Sequence, residues 1–187
     1  MTTAFPFLTD HDIVPALVPT VRFGAAASTM FTTITMKNCD NVACLLQIEK
    51  TVESDAGVTG RVEFFACSGV DGSDEALIEP ITYREKSHDG SDTWGAATTI
   101  TDGMFDIGVG GHCPASDVSY TYLFEFNAAE IYAEGIAAAD DVARTSLTAR
   151  LYETNADGSD ALVCANWILH PLRYSNTNAS SFDNRTD

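Results

Sequence analysis

The tetrapeptide Asp-Gly-Ser-Asp occurs three times in this chain, at Asp71–Asp74, Asp89–Asp92 and Asp157–Asp160. Clustered oxygens on tight loops are what hard cations such as calcium select. The full calcium-loop pattern with its closing glutamate is absent, so the copies read first as Asp-Gly hairpin turns, in which both residues tolerate positive φ. A His–Cys pair stands inside Gly110-Gly111-His112-Cys113-Pro114, and Cys39 and Cys44 could join it in a zinc set on paper. No Cys-x-x-Cys occurs and the Cys39/Cys44 spacing is marginal, so core-filling thiols are the better reading. A Cys113 nucleophile would need a base, and the sequence puts none beside it. His11, His88 and His170 are isolated; His170 precedes Pro171 at a strand end, where a local hydrogen bond would satisfy it. With 27 acidic residues, carboxylate pairs arise by coincidence and carry no signal for glycoside chemistry. No glycine-rich phosphate loop opens a helix, no Gly-x-Ser-x-Gly elbow occurs, and no basic aromatic patch is present. Asn178-Ala179-Ser180 and Asn184-Arg185-Thr186 match the glycosylation sequon, but a tail rich in Asn and Ser produces such matches by chance. The expectation is therefore no catalytic residue, no cofactor, no metal ligand, and a protein that is not an enzyme.

The elements around these residues are strands. In 119–126, Tyr120, Tyr122, Phe124 and Phe126 fall on one face, the period-2 pattern of a half-buried strand. Leu147, Ala149 and Leu151 alternate with Ser146, Thr148 and Arg150 over 145–152. Val62, Phe64 and Ala66 share a face over 61–67, as do Met30, Ile34 and Met36 over 30–36. Val42–Ile48 and Ala161–Leu169 are apolar on both faces, as central strands or strands buried at an interface are. Leu77–Tyr83 carries Pro80, which demotes it to an edge or bulged strand. The best helical stretch, Ala128–Ala139, is interrupted by Gly135 and predicts at most a short helix or a loop. Eight or so short antiparallel strands with turn-rich links predict an all-β sandwich or jelly roll. Its expected boundaries are an extended N-terminal arm over 1–20, a β domain over 21–174, and a polar C-terminal tail over 175–187.

Bulk composition narrows the classes further. A chain of 187 residues with 45% hydrophobic and 10% aromatic residues can bury a sizeable core in one domain. Its net charge of −17 repels phosphate backbones and anionic membranes, so neither nucleic acid nor membrane is an expected partner. The N-terminus lacks early Lys or Arg and carries Asp10, His11 and Asp12, which is not a signal-peptide pattern. Five cysteines, an odd count with scattered spacing, predict reduced thiols (Cys39, Cys44, Cys67, Cys113, Cys164) that pack as small hydrophobes.

The order of segments resembles the decoration (cement) proteins of tailed-bacteriophage heads. The resemblance is carried by Val14-Pro15 and Val18-Pro19, the apolar run Asn41-Val42-Ala43-Cys44 and the Thr-rich Ala97-Thr98-Thr99-Ile100-Thr101. It continues through Phe124-Glu125-Phe126-Asn127-Ala128 and the closing Trp167-Ile168-Leu169-His170-Pro171-Leu172-Arg173-Tyr174. The resemblance implies a β-sandwich or jelly roll, made in the host cytoplasm, that sits on the outer capsid surface as a homo-oligomer, with a trimer favoured. It also implies that the chain clamps neighbouring major capsid subunits. Two other readings are a different virion part (head spike, fibre base or head–tail connector) and a carbohydrate-binding β-sandwich. For the second, Trp94, between Asp92 and Gly95, is the stacking candidate, although a loop tryptophan more often caps a hydrophobic core.

Overall fold

A computed structural model of the chain describes residues 12–22, 27–36, 39–50, 60–69, 71–88, 93–108, 119–137, 142–154 and 161–172. Within them lie twelve strands and one helix. The strands are β1 (Asp12–Arg22), β2 (Ala27–Met30), β3 (Ile34–Thr35), β4 (Cys39–Lys50), β5 (Gly60–Cys67), β6 (Ala76–Leu77) and β7 (Ile81–Ser87). After them come β8 (Thr98–Ile100), β9 (Met104–Ile107), β10 (Tyr120–Asn127), the helix α1 (Ala128–Ala137), β11 (Ser146–Glu153) and β12 (Ala161–Leu172).

The strands form two antiparallel sheets. The first runs β1-β12-β4-β10-β7-β8; the second runs β2-β11-β5-β6, with β3 also on β11 and β9 also on β5. The pairs nest: β1 lies against β12, β2 against β11, β4 against β10, and β5 against β6. A long antiparallel hairpin that is rolled until successive pairs alternate between two sheets gives this order, which is the jelly roll. The hairpin β7–β8 widens the first sheet beyond β10.

Period-2 patterning selects what fills the space between the sheets. Val42, Cys44, Leu46 and Ile48 of β4 face it together with Tyr122, Phe124 and Phe126 of β10 and Val163, Ala165, Trp167 and Leu169 of β12. Opposite them stand Val62, Phe64, Ala66, Leu147, Ala149 and Leu151 of the second sheet. The Phe64 ring lies 4.7 Å from Phe124 and 4.8 Å from Phe126 between centroids, so the aromatic face read in 119–126 is the middle of the core. On one side the segment 31–33 ties the sheets together. There Phe31 N–H donates to Ala149 O at 2.8 Å, Thr32 N–H to Ala16 O at 2.8 Å, and Trp167 Nε1–H to Thr32 O at 2.7 Å.

Several sequence expectations need correction. The stretch 30–36 is not one strand: it breaks at 31–33, so Met30 is exposed while Ile34 and Met36 are buried, and the three do not share a face. Leu77–Tyr83 is likewise two strands. The chain leaves the second sheet after β6, passes Pro80 through a cis Glu79–Pro80 bond, and enters the first sheet as β7. Proline there marks a crossing between sheets, and β7 is an interior strand between β10 and β8. Asp12–Thr20, read as part of the arm, belongs to the edge strand β1, paired along β12 with irregularities between Pro15 and Thr20. Residues 1–11 and the tail 175–187 lie outside the described residues.

Candidate functional site

The two outer faces of the sandwich differ in chemistry. On the second sheet, Arg61 sits over the Tyr152 ring at 5.2 Å and Arg150 over the Phe65 ring at 5.5 Å. Arg150 Nη2 donates to both oxygens of Glu75 at 2.7 and 2.9 Å, and Arg61 Nε pairs with Glu63 at 2.7 Å. Bidentate pairing and cation–π stacking leave this face closed upon itself.

The outer face of the first sheet carries aliphatic side chains instead. Strand register places Leu123 of β10, Leu45 of β4, Asn166 of β12 and Pro15 of β1 in one row across it. The next row is Glu125, Ala43, Ile168 and Ile13. Leu45, Leu123, Ala43 and Ile168 are only half-buried, and Ile13 is 48% exposed. Aliphatic side chains left half-buried or exposed in adjacent rows are surface that a partner could cover. The runs 42–48 and 161–169, apolar on both faces, are therefore central strands whose second face looks outward.

A cleft of about 650 Å³ opens at one end of this face. It forms where β10 passes into α1. Asn127 Oδ1 accepts Ala129 N–H at 2.8 Å, and Glu130 Oε2 accepts Asn127 N–H at 3.2 Å, a reciprocal capping box that starts the helix at once. Ile131 is thereby driven into the core, fully buried, and the helix caps that end of the sandwich. Asn127 Nδ2 also donates to Asn41 Oδ1 at 3.1 Å, joining the start of β4 to the end of β10. The cleft is lined by these groups together with Glu125, Ala43, Ile168, His170 and Pro80. Ligand-binding clefts commonly fall in this size range, with an apolar floor and few polar groups.

The residues singled out from the sequence are scattered. Cys39 and Cys44 both lie buried on β4, five positions apart, which an extended strand separates by roughly 16 Å. Cys39 Sγ contacts Met36 Sδ at 3.8 Å. His11, His112, Cys113, the second and third Asp-Gly-Ser-Asp copies and both sequons lie outside the described residues. In the first copy the side-chain oxygens bond within the loop: Asp71 Oδ1 accepts Ser73 N–H at 3.1 Å and Asp74 Oδ2 accepts Ser68 Oγ–H at 2.6 Å. The Asp74 carbonyl accepts a short bond from the buried Arg144 guanidinium, so this turn anchors a cation of the chain itself. Among the described residues, no three His, Cys, Asp or Glu side chains gather as metal ligands would.

His88 and Cys164 line the same shallow depression, at the other end of the outer face. His88 Nε2 bonds Thr121 Oγ1 at 2.8 Å, and Cys164 Sγ donates to Gln47 Oε1 at 3.3 Å. Thr121, Gln47 and Cys164 occupy three successive strands, so the imidazole and the thiol each bond a different neighbour. Burial pushes the Cys164 thiol up, the opposite of what a nucleophile requires. Trp94 does not cap the core: it is 44% exposed, and its neighbour Gly95 donates N–H to Glu85 O at 2.8 Å along the β7 edge. Sequence patterns do not single out the cleft carboxylates Glu125 and Glu130; the Asn-x-x-Glu signature at 127–130 could have located Glu130, and no local signal marks Glu125.

No family model and no curated protein matches the chain. Among solved structures it is similar to turnip yellow mosaic virus, at 9% identity over 89% of this chain and 82% of that chain, with a TM-score of 0.33. It is similar as well to a carbohydrate-binding module specific for non-crystalline cellulose, at 9% identity over 88% and 73% of the two chains, TM-score 0.27. A third is VP2 of infectious bursal disease virus in a subviral particle, at 11% identity over 92% of this chain and 46% of that chain, TM-score 0.27. These likenesses are distant, and the class rests on the nested strand order: the chain is an all-β jelly-roll sandwich.

Proposed function

We propose that this chain is a structural, non-enzymatic virion protein that decorates the outer surface of a phage capsid and stabilises it by bridging major capsid subunits. The observation that carries the reading is the outer face of the first sheet. Its aliphatic rows through Leu45, Leu123, Ala43, Ile168 and Ile13 stay half-buried or exposed while the opposite face is closed by arginine–aromatic ladders. A face of this kind is stabilised when a partner covers it. A net charge of −17 suits a position outside the shell, away from packaged DNA. A protein that binds only the assembled lattice shifts the balance between shell and free subunits by mass action. Self-association as a trimer belongs to the same proposal.

The test is co-sedimentation of the purified chain with emptied shells and, separately, with dissociated capsid subunits. The chain is expected to travel with shells and not with free subunits, and Leu45→Glu is expected to abolish shell binding while the circular dichroism of the free chain is unchanged. Undiminished shell binding by Leu45→Glu would remove the outer face from the account. A second reading, a carbohydrate-binding module, is favoured by the 44% exposure of Trp94. A glycan-array signal lost in Trp94→Ala would establish that reading in place of the first.

A further inference from the structure

We infer that the cleft at the β10–α1 junction receives an extended, basic and aliphatic peptide segment of the partner, with a Lys or Arg seated between Glu125 and Glu130. The inference rests on the assembly reading and names the chemistry of its partner. The cleft lining carries two carboxylates, Glu125 on β10 and Glu130 on α1, and no Lys or Arg; His170 is its one basic residue. Both glutamates are exposed, one on each of the two elements that meet at the junction. One Glu130 oxygen accepts the Asn127 backbone N–H, which orients the carboxylate at the junction.

Register continues the cleft onto the outer face. Glu125, Ala43 and Ile168 line it and lie on adjacent strands of one row, and Ile13 extends that row beyond it. Ala43, Ile168 and Pro80 offer aliphatic contact beside the carboxylates. Charge complementarity therefore selects an occupant that is cationic at one side chain and aliphatic at the next. The field of a chain at −17 would draw such a segment in and turn anions away. A neutral glycan fits less well, because Phe126, the lining's one Phe, Tyr or Trp, is only 5% exposed and offers no stacking platform.

The probe is a fluorescein-labelled acetyl-Leu-Arg-Leu-Lys-Val-amide peptide, followed by anisotropy, beside its acidic counterpart acetyl-Leu-Glu-Leu-Asp-Val-amide and a cello-oligosaccharide. The variant is E125Q/E130Q; glutamine at 130 keeps the bond to the Asn127 amide, since capping boxes accept Gln. The control E49Q/D106N removes two charges elsewhere. The basic peptide is expected to bind the parent, to lose about ten-fold in affinity with E125Q/E130Q, and to lose less than about two-fold with the control. Equal binding by E125Q/E130Q, equal losses in variant and control, or binding of the oligosaccharide with the peptide inert would each overturn the inference. Shell binding that survives E125Q/E130Q while peptide binding is lost would overturn it as well and leave the assembly reading standing. Carboxylate-dependent peptide binding by a chain that binds no shell would do the reverse.

Discussion

Trp167 sits fully buried between the sheets, its ring 6.3 Å from Phe31 and 6.2 Å from Phe64, with its indole N–H held by Thr32 O at 2.7 Å. Truncating it opens a cavity and orphans a buried carbonyl, so Trp167→Ala is expected to cost about 4 kcal/mol in urea unfolding. The thiols give a pH dependence. Burial, and after it the charges of Glu75 and Asp71, push Cys67 from 9.0 up to about 12, while Arg144 pulls the other way. The folded form thus keeps a proton that the unfolded form releases. The stability linked to Cys67 is fully present below pH 9.0 and is lost as pH climbs from 9.0 toward 12. The urea midpoint is expected to fall over that window, and to fall less steeply in Cys67→Ala. Burial pushes Cys44 up too, so neither thiol should react with a thiol reagent until the chain unfolds. The burial of Cys39, Cys44 and Cys67 was legible from the odd count and lack of motif, while Cys164 is only half-buried. The exposure of Trp94 was not, because flanking Asp and Gly identify a loop without saying what lies beneath it.

At the scale of elements, local hydrogen bonds decided what composition left open. The stretch 128–139, interrupted by Gly135, predicts at most a short helix or a loop, and a helix of ten residues stands there, started by the Asn127–Glu130 capping box and burying Ile131. Asn127→Ala is expected to destabilise the fold by about 1 kcal/mol, with Asn127→Asp restoring most of it; chemical denaturation measures both. The alternation in 145–152 located β11 within a residue at each end. It understated the burial of its other face, where Ser146 is 3% exposed and Thr148 is 0% exposed, its hydroxyl donating to Phe31 O at 3.1 Å. A threonine facing a neighbouring carbonyl looks in sequence like one facing water. Pro80 in 77–83 reads in sequence as the mark of one edge or bulged strand, whereas it separates β6 from the interior strand β7. That it marks a crossing between sheets depends on partners distant in sequence, which a local pattern cannot carry.

For the whole molecule, the class of fold followed from strands of alternating pattern and Asp-Gly turns, but the nesting of β1 with β12 and β2 with β11 is set by pairings across most of the chain. The same holds for the outward aliphatic face: sequence showed that 42–48 and 161–169 are apolar on both sides, and only the strand order shows that no second layer of this chain covers the outer one among the described residues. A jelly roll with one closed face and one aliphatic face is suited to lying against a larger assembly, with the cleft carboxylates at its margin. Cryo-electron microscopy of the parent particle tests this most directly. The account expects hundreds of copies on the outer lattice, bridging capsid subunits, with the β1-β12-β4-β10 face turned toward them. A particle lacking the chain, or carrying about a dozen copies at one vertex, would contradict it.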